Sequence, residues 1–455
     1  MYNWLTFSQL KSALATRLSD PSKIFWIDSE LGSYLKESLR TWNLIAQYSR
    51  DRTVFNTQPN LAFYDLTSIN NPNSITGGTG AGLTNPSSML GYSIKERDLI
   101  NDIEYCLIEP ITSIWSSWSG TDQFTMDDLT RAIERRRNLF LLLVGSHISH
   151  LQVVVPPGNG LAQLSDSIQQ IRRASWKDST SYIPIYSSDE DEASNLTPNW
   201  VNSPATPSAF SSTLNPLVLV QLIPPPLDTG TLDLLTINNP PDLDESVGTF
   251  LNIPDDCAWI VKFGALADLL GKDGQAFDPT RSEYCEKRFL EGIRFAQLSG
   301  TILTGMLDGN SISPCDISEL DLMVPSWQNL TGSSTDLAIV GRNLICLSPV
   351  PNSNQHSIQL DIIRNMPIPS LDSDKIQLGK ESIDAILDYA THLAFFKVGG
   401  AEFQSTVQLA DRFMQQAMLN NDKLRSEARN YSIMQGYSKK EEISKKRFRR
   451  EKKAA

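Results

Sequence analysis

The amino-acid sequence predicts an α+β fold: a helical bundle discontinuous in sequence, with β-rich regions inserted between its helical stretches and an extended basic arm at the C-terminus. Three observations carry that expectation. Apolar residues recur at helical spacing in three separated stretches, 6–48, 255–298 and 380–429, as in helices that bury one face. Between them lie short apolar runs bounded by proline and asparagine, which read as strands. The segment 439–453 holds nine basic and three acidic residues.

Taken in order, Thr6 and Gln9 have capping-box spacing, and Phe7, Leu10, Leu14 and Leu18 follow as a helical stripe. Asp20-Pro21 ends it. Asp28 is placed to cap a second helix carrying Leu31, Leu35, Leu39, Trp42 and Ile45. From 53 to 89 Asn, Pro, Ser, Thr and Gly dominate, peaking in TGGTGAG at 76–82. A phosphate loop would need a closing Gly-Lys-Ser/Thr after a strand; neither is present, so a surface loop is expected. Helical spacing returns at 94–108 and again after Thr125, where Leu129, Ala132, Ile133, Phe140 and Leu143 share a side. Arg135, Arg136 and Arg137 in that segment read either as a contact for an acidic partner or nucleic acid, or as a solvated face; the solvated face is the expectation.

The runs at 151–155, 217–223 and 231–237 each end in proline or Asn-Asn-Pro-Pro and read as strands. The acidic patch 189–192 lacks calcium-loop spacing and is expected to be an exposed loop. The hairpin at 255–298 has Trp259, Ile260, Phe263, Leu266, Ala267 and Leu270 on one face. Its second helix opens at Asp278-Pro279 and carries Tyr284, Cys285, Phe289, Ile293 and Ala296 inward, with Arg281, Glu283, Lys287, Arg288, Glu291 and Arg294 mostly on the solvated side. Strand patterning fills 300–370. A helix at 380–397 stops at Gly399-Gly400, and a longer one is expected from Glu402 to about Arg429, a rod of roughly 40 Å. The chain thus divides into N-terminal bundle helices (1–50), an insertion of loops, helices and strands (51–254), the central hairpin (255–299), a β-rich insertion (300–374), C-terminal bundle helices (375–430) and the arm (431–455).

Composition narrows function. With 455 residues, 40% of them hydrophobic and 20% charged, the chain suffices for two or three folded units. No apolar run is long enough to span a bilayer, and Met1-Tyr2-Asn3-Trp4 opens no signal peptide. Five scattered cysteines without C-x-x-C spacing argue against a disulfide framework or a zinc site. A net charge of −12, with the arm carrying a surplus of six positive charges, leaves the body strongly acidic and ill-suited to hold phosphates tightly.

Chemistry is not conspicuous. His147 and His150 lack the glutamate and the third ligand of a zinc site. No nucleophile elbow occurs. Asp127-Asp128 and Asp255-Asp256 sit at helix starts, where carboxylates offset the helix dipole. Neither a catalytic residue nor a cofactor or metal site is expected. The residues of functional promise are Lys445, Lys446, Arg447, Phe448, Arg449 and Arg450. They read as an arm for nucleic acid, an arm for an acidic groove, or a solubilising end, and the single phenylalanine favours docking.

Four features together resemble the head-to-tail adaptor proteins in the neck of tailed bacteriophages, which sit beneath the portal ring. They are the opening TFSQLKSALATRL…FWIDSELGSYLKESLRTWN, the hairpin AWIVKFGALADLL…DPTRSEYCEKRFLEGIRFAQL, the pair ESIDAILDYATHLAFFKVGGAEF and the polar C-terminal arm. In that family a short helix precedes an acidic-capped W-x-D-x-E-L helix, here Trp26, Asp28, Glu30 and Leu31. The resemblance covers under half of the chain, which is longer than simple adaptors. It implies a structural, non-enzymatic virion protein, assembled in the host cytoplasm and located in the virion neck. There it would form a homo-oligomeric, dodecameric ring that extends the DNA channel and joins capsid to tail. Its implied partners are the portal protein, tail or other neck proteins, copies of itself, and genomic DNA passing without sequence specificity, with no membrane. Lys445, Lys446, Arg447, Phe448, Arg449 and Arg450 would contact portal or DNA. The alternative is a virion-associated receptor- or glycan-binding protein acting through its β-rich insertions.

Overall fold

The computed structural model describes residues 4–69, 90–179, 182–196, 198–212, 219–352 and 356–421. Its helices, in chain order, are α1 (Phe7–Arg17), α2 (Asp28–Ala46), α3 (Glu96–Leu107), α4 (Met126–Val144), α5 (Glu190–Leu196), α6 (Ala258–Leu270), α7 (Pro279–Leu298), α8 (Ile317–Met323), α9 (Lys380–Val398) and α10 (Gly400–Leu419). The fold is mixed α+β.

Helix α6 is the axis of the helical body. Every residue in it except Asp268 is buried. One apolar face was expected. A helix whose thirteen residues include only two charged ones, Lys262 and Asp268, is instead apolar nearly all round, and such a helix belongs inside. Helices α7 and α4 lie along it, α3 touches it, and α2, α9 and α10 close the far side by packing on one another. Close approach to α7 depends on two glycines. A Cβ on Gly292 would sit 2.7 Å from Ile260, and one on Gly264 would sit 2.8 Å from Phe289. The core joins α1, α2, α6, α7, α9 and α10 with α3 and α4, so the two helices between residues 94 and 144 also belong to the body.

Local signals fix most helix ends. Thr6 and Gln9 form the expected capping box on α1, and Thr125 with Asp128 forms another on α4. Asp278 caps α7 by accepting from Arg281 N at 3.0 Å. For α2 the cap is Ile27, and Asp28 is its first helical residue, pairing with Lys11 and Lys23 instead. Gly399 and Gly400, at φ 72° and 60°, break α9 from α10, as only glycine adopts that conformation at little cost. The rod expected to reach Arg429 ends in the structure at Leu419, with Asn420 as its cap. The acidic patch 189–192, expected as a loop, enters α5, because three carboxylates in a first turn favour a helix start.

Two seven-stranded sheets complete the fold. Strands β1 (Arg50–Asn56) and β2 (Phe63–Asp65) precede an inserted module of β3 (Ile148–Val155), β4 (Leu161–Gln163), β5 (Ile168–Lys177), β6 (Tyr182–Ser187), β7 (Ala209–Ser211), β8 (Leu219–Ile223) and β9 (Gly230–Asn238). The chain then adds β10 (Ile302–Leu307), β11 (Asn310–Cys315), β12 (Thr331–Gly332), β13 (Asp336–Val340), β14 (Leu344–Ser348), β15 (Val350–Pro351) and β16 (Ser357–Ile363). The inserted sheet runs β3-β9-β5-β6-β7-β8-β4 and the other β1-β16-β10-β11-β13-β14-β2, while β12 pairs with β15. The stretches 51–254 and 300–374, read from sequence as separate insertions, therefore share a sheet: Thr53 lies opposite Leu360 and Tyr64 opposite Ile345. Period-two patterning announces a strand but not its partner. Ile358, Leu360 and Ile362 alternate inward and anchor a second core; the inserted sheet has a third, around Trp176, Leu222 and Leu234.

Candidate functional site

Lys445, Lys446, Arg447, Phe448, Arg449 and Arg450 lie outside the described residues, as does the glycine-rich run 76–82. Within the described residues, polar groups concentrate at three places.

The first is inside the helical body. Lys262 on α6 pairs with Glu37 on α2, both buried. Burial opposes the charge on Lys262, but Glu37 more than offsets it and holds the lysine pKa above its ordinary value. Burial pushes Glu37 upward against the pull of that lysine. Arg288 on α7, expected on the solvated side, is 4% exposed. It donates to Tyr389 Oη at 2.9 Å and lies over the rings of Trp259 and Phe263. Two of the three central arginines of α4 are also buried. Arg136 bridges Asp268 at 2.5 Å and Glu286 at 2.7 Å, and Arg137 donates to Pro241 O; Arg135 stays exposed beside Asp268. The expected solvated face holds for Arg135 only, since the other two point into the α4–α6–α7 junction.

His392 occupies the same core. Thr406 Oγ1 donates to Phe403 O, so it accepts from His392 Nδ1 at 3.0 Å; His392 Nε2 then accepts from Tyr284 Oη at 2.5 Å. Burial, then the neighbouring Arg288 charge, pushes this imidazole down to about 3. It is neutral and fully hydrogen-bonded, a core histidine. The thiols are equally quiet, because burial pushes Cys106 and Cys257 up to about 12 and a thiol is a poor nucleophile until ionised. Asp255 accepts from the amides of Ser93 and Ile94, and Asp256 from Asn43 Nδ2 and Met366 N. Expected as dipole partners, they instead hold three distant segments onto the start of α6.

The second place joins the two sheets. Arg173 on β5 makes a two-pronged contact with Asp321 on α8, at 2.6 and 2.8 Å, and reaches Gln328 at 3.0 Å. Gln328 donates to Tyr182 Oη, which donates to Asp233; that carboxylate also accepts from Gln152 at 3.1 Å and contacts His150 Nε2 at 2.8 Å. Burial would raise the Asp233 pKa, but these hydrogen bonds outweigh it and the pKa falls. A His–Asp pair suggests a base and its orienting group. The third member, however, is a phenol whose pKa burial drives well up, and the imidazole lies 4.6 Å from the Phe63 ring. His147 and His150, considered together as ligands, are separated: His147 faces Tyr92 instead. Among the described residues no cluster of His, Cys, Asp or Glu could hold a metal.

The third place is open. Beside the Arg173–Asp321 pair a groove of about 330 Å³ runs between α8 and strands β5, β6 and β7. Ile171, Ala174, Ile185 and Phe210 supply its apolar lining. Its rim exposes Tyr186 and Leu322, at 59% and 75% of full exposure, and Met323 beyond them is 72% exposed. Asp316 and Glu319, next in sequence to its α8 lining residues, and the acids at 189–192, which follow β6, are all exposed. Sequence reading overlooked the groove. Its one signal was Leu-Asp-Leu-Met at 320–323, four residues that send apolar side chains both into and out of one helical turn. No protein-family model matches the chain, and no curated protein matches it.

Proposed function

We propose that the chain is a structural virion protein, a head-to-tail adaptor that forms a ring beneath a phage portal, extends the DNA channel and joins capsid to tail. One observation supports this most. The three helical stretches that carry the resemblance, separated by some two hundred and eighty residues of intervening chain in all, come together in one core around α6. In this reading the protein works by shape and charge, with neither catalytic residue nor cofactor. An acidic lumen repels phosphates and lets DNA slide. A ring needs the same two surfaces on every copy, meeting head to tail. The basic arm, with Lys445, Lys446, Arg447, Phe448, Arg449 and Arg450, takes up its contact with the portal only when the ring is in place. The ring is dodecameric, its partners are the portal, tail or other neck proteins and passing genomic DNA, and it resides in the virion neck after assembly in the host cytoplasm.

Electron microscopy of the purified chain, alone and mixed with the portal protein of the same phage genome, tests this. The expected result is a closed ring seated on the portal, lost when residues 438–455 are deleted. A monomer that ignores the portal but binds a glycan array through its β-rich regions would replace the adaptor reading with receptor recognition.

A further inference from the structure

The groove beside α8 has an apolar floor and an exposed apolar rim, six exposed acids lie in the chain segments that adjoin its lining, and the chain carries a segment of complementary composition. We propose that the basic segment 445–450 of the same chain docks in this groove before assembly, seating Phe448 against Tyr186 and Leu322 while its five cations face those acids.

The charge match is direct. Asp189, Glu190, Asp191 and Glu192 follow the groove strand β6 within five residues of its end, and Asp316 and Glu319 adjoin the lining residues Ile317 and Ser318 in sequence. Against these six acids stands Arg172, which donates to Leu142 O; Arg173 is engaged by Asp321. Lys445, Lys446, Arg447, Arg449 and Arg450 place five positive charges around one aromatic ring. An aromatic anchor inserted in an apolar pocket with charges at the rim is how short segments obtain most of their binding energy.

Reach is sufficient within one molecule. At the end of α10, Asn421 Nδ2 donates to Ile45 O at the end of α2. Five residues on, Arg50 opens β1 opposite Ile363, and Ile362 on the same strand lies opposite Ile302. Gly305 lies opposite Ile312, so the Cys315 end of β11, which leads into α8, is at the same end of the sheet's strands as Arg50. Three strand spacings separate them, about 15 Å, and Asn421 is on the order of 40 Å from α8 by this path. The 23 residues between Asn421 and Lys445 span up to roughly 80 Å extended. A tether of this length holds its end at a high effective concentration, which favours the chain's own groove over a neighbour's.

The proposal concerns the free chain and does not depend on the portal reading. Its test is full-length protein carrying a benzophenone photocrosslinker in place of Phe448, irradiated as an equal mixture of light and nitrogen-15 copies. The expected products join position 448 to residues 186, 322 or 323 within single copies. Yield should fall at least fivefold with Leu322→Asp, a change at an exposed position that leaves the core intact, and at least threefold between 50 and 500 mM salt. Cross-links that map elsewhere, that join light to heavy copies, or that ignore Leu322→Asp would each overturn it, as would an absence of cross-links.

Discussion

The sharpest test of the helical body is Lys262→Met. The lysine side chain is 2% exposed and its partner Glu37 6%. Glu37 Oε1 already lacks a hydrogen-bond partner, so removing the ammonium strands a carboxylate that has little else to hold. Breaking one side of such a pair costs about 3–5 kcal/mol, a large share of the roughly 5–15 kcal/mol that a folded domain possesses. Urea unfolding followed by the fluorescence of Trp42 and Trp259, both buried in this body, measures it. The loss should also depend on pH. Burial raises the folded pKa of Glu37 above its unfolded value, so folding favours its protonated form; that contribution is present at low pH and lost as pH rises through the folded pKa. Without Lys262 the pull that lowers it is gone, so the raising is stronger and the variant should recover stability as the pH falls. The double variant Glu37→Leu with Lys262→Met removes both charges and should return to within about 1 kcal/mol of the parent or exceed it. A single variant that loses less than about 1 kcal/mol, or a double variant no better than the single, would show that the pair is not desolvated and that α6 is not the buried axis.

Replacing Phe289 or Leu266, both fully buried, with Asp should abolish folding, because an unpaired charge would be buried; soluble protein with native circular dichroism would show that the core lies elsewhere. Gly292→Ala should cost about 1–3 kcal/mol by overpacking against Ile260, measured by thermal melting, although alanine is the better helix former. Arg173→Met should free the inserted sheet from α8, read as faster proteolysis within 148–238, with Asp321→Leu added to restore resistance. Asp256 has a folded pKa pushed up to about 7 by burial, against the hydrogen bonds from Asn43 and Met366. Its contribution is therefore lost as pH rises from about 4 to about 7, and Asp256→Asn should flatten the stability profile across that window.

Periodicity made the helices legible because their apolar residues repeat locally. Thr6, Thr125 and Asp278 announced their caps for the same reason: a cap needs only the residues next to it. What could not be read was where polar side chains find partners far along the chain. Arg136, Arg137 and Arg288 look solvated in sequence, since arginine normally is, and their burial follows only from Asp268 and Glu286 or from Tyr389 on other helices. Phe413 on α10 is fully buried with its ring stacked on that of Tyr389, a partner on α9. The sheet shared by β1, β2, β10, β11, β13, β14 and β16 was hidden for a related reason, because pairing across three hundred residues leaves no local mark. The groove beside α8 combines both difficulties, as its two walls come from segments about one hundred and thirty residues apart.

Buried ionisable groups with shifted pKa values ordinarily raise the prospect of an active site, and here they admit a different account. Lys262 pairs with Glu37, and Arg288 meets Tyr389. Each contact links helices from different stretches of the chain. A bundle assembled from such pieces has many apolar registers of nearly equal energy, since leucine and alanine pack against most neighbours. Charges remove that degeneracy. A helix slipped by one turn would leave a lysine, an arginine or a carboxylate buried alone, at a cost of several kcal/mol per ion. These charged groups are thus matched to one another, while an exposed apolar surface lies at the groove beside α8. Recognition by this chain should therefore respond to changes at Tyr186, Leu322 and Met323, while changes at Lys262 or Arg288 should act on folding alone. A variant at Lys262 that folded with parental stability yet lost an interaction would break that division.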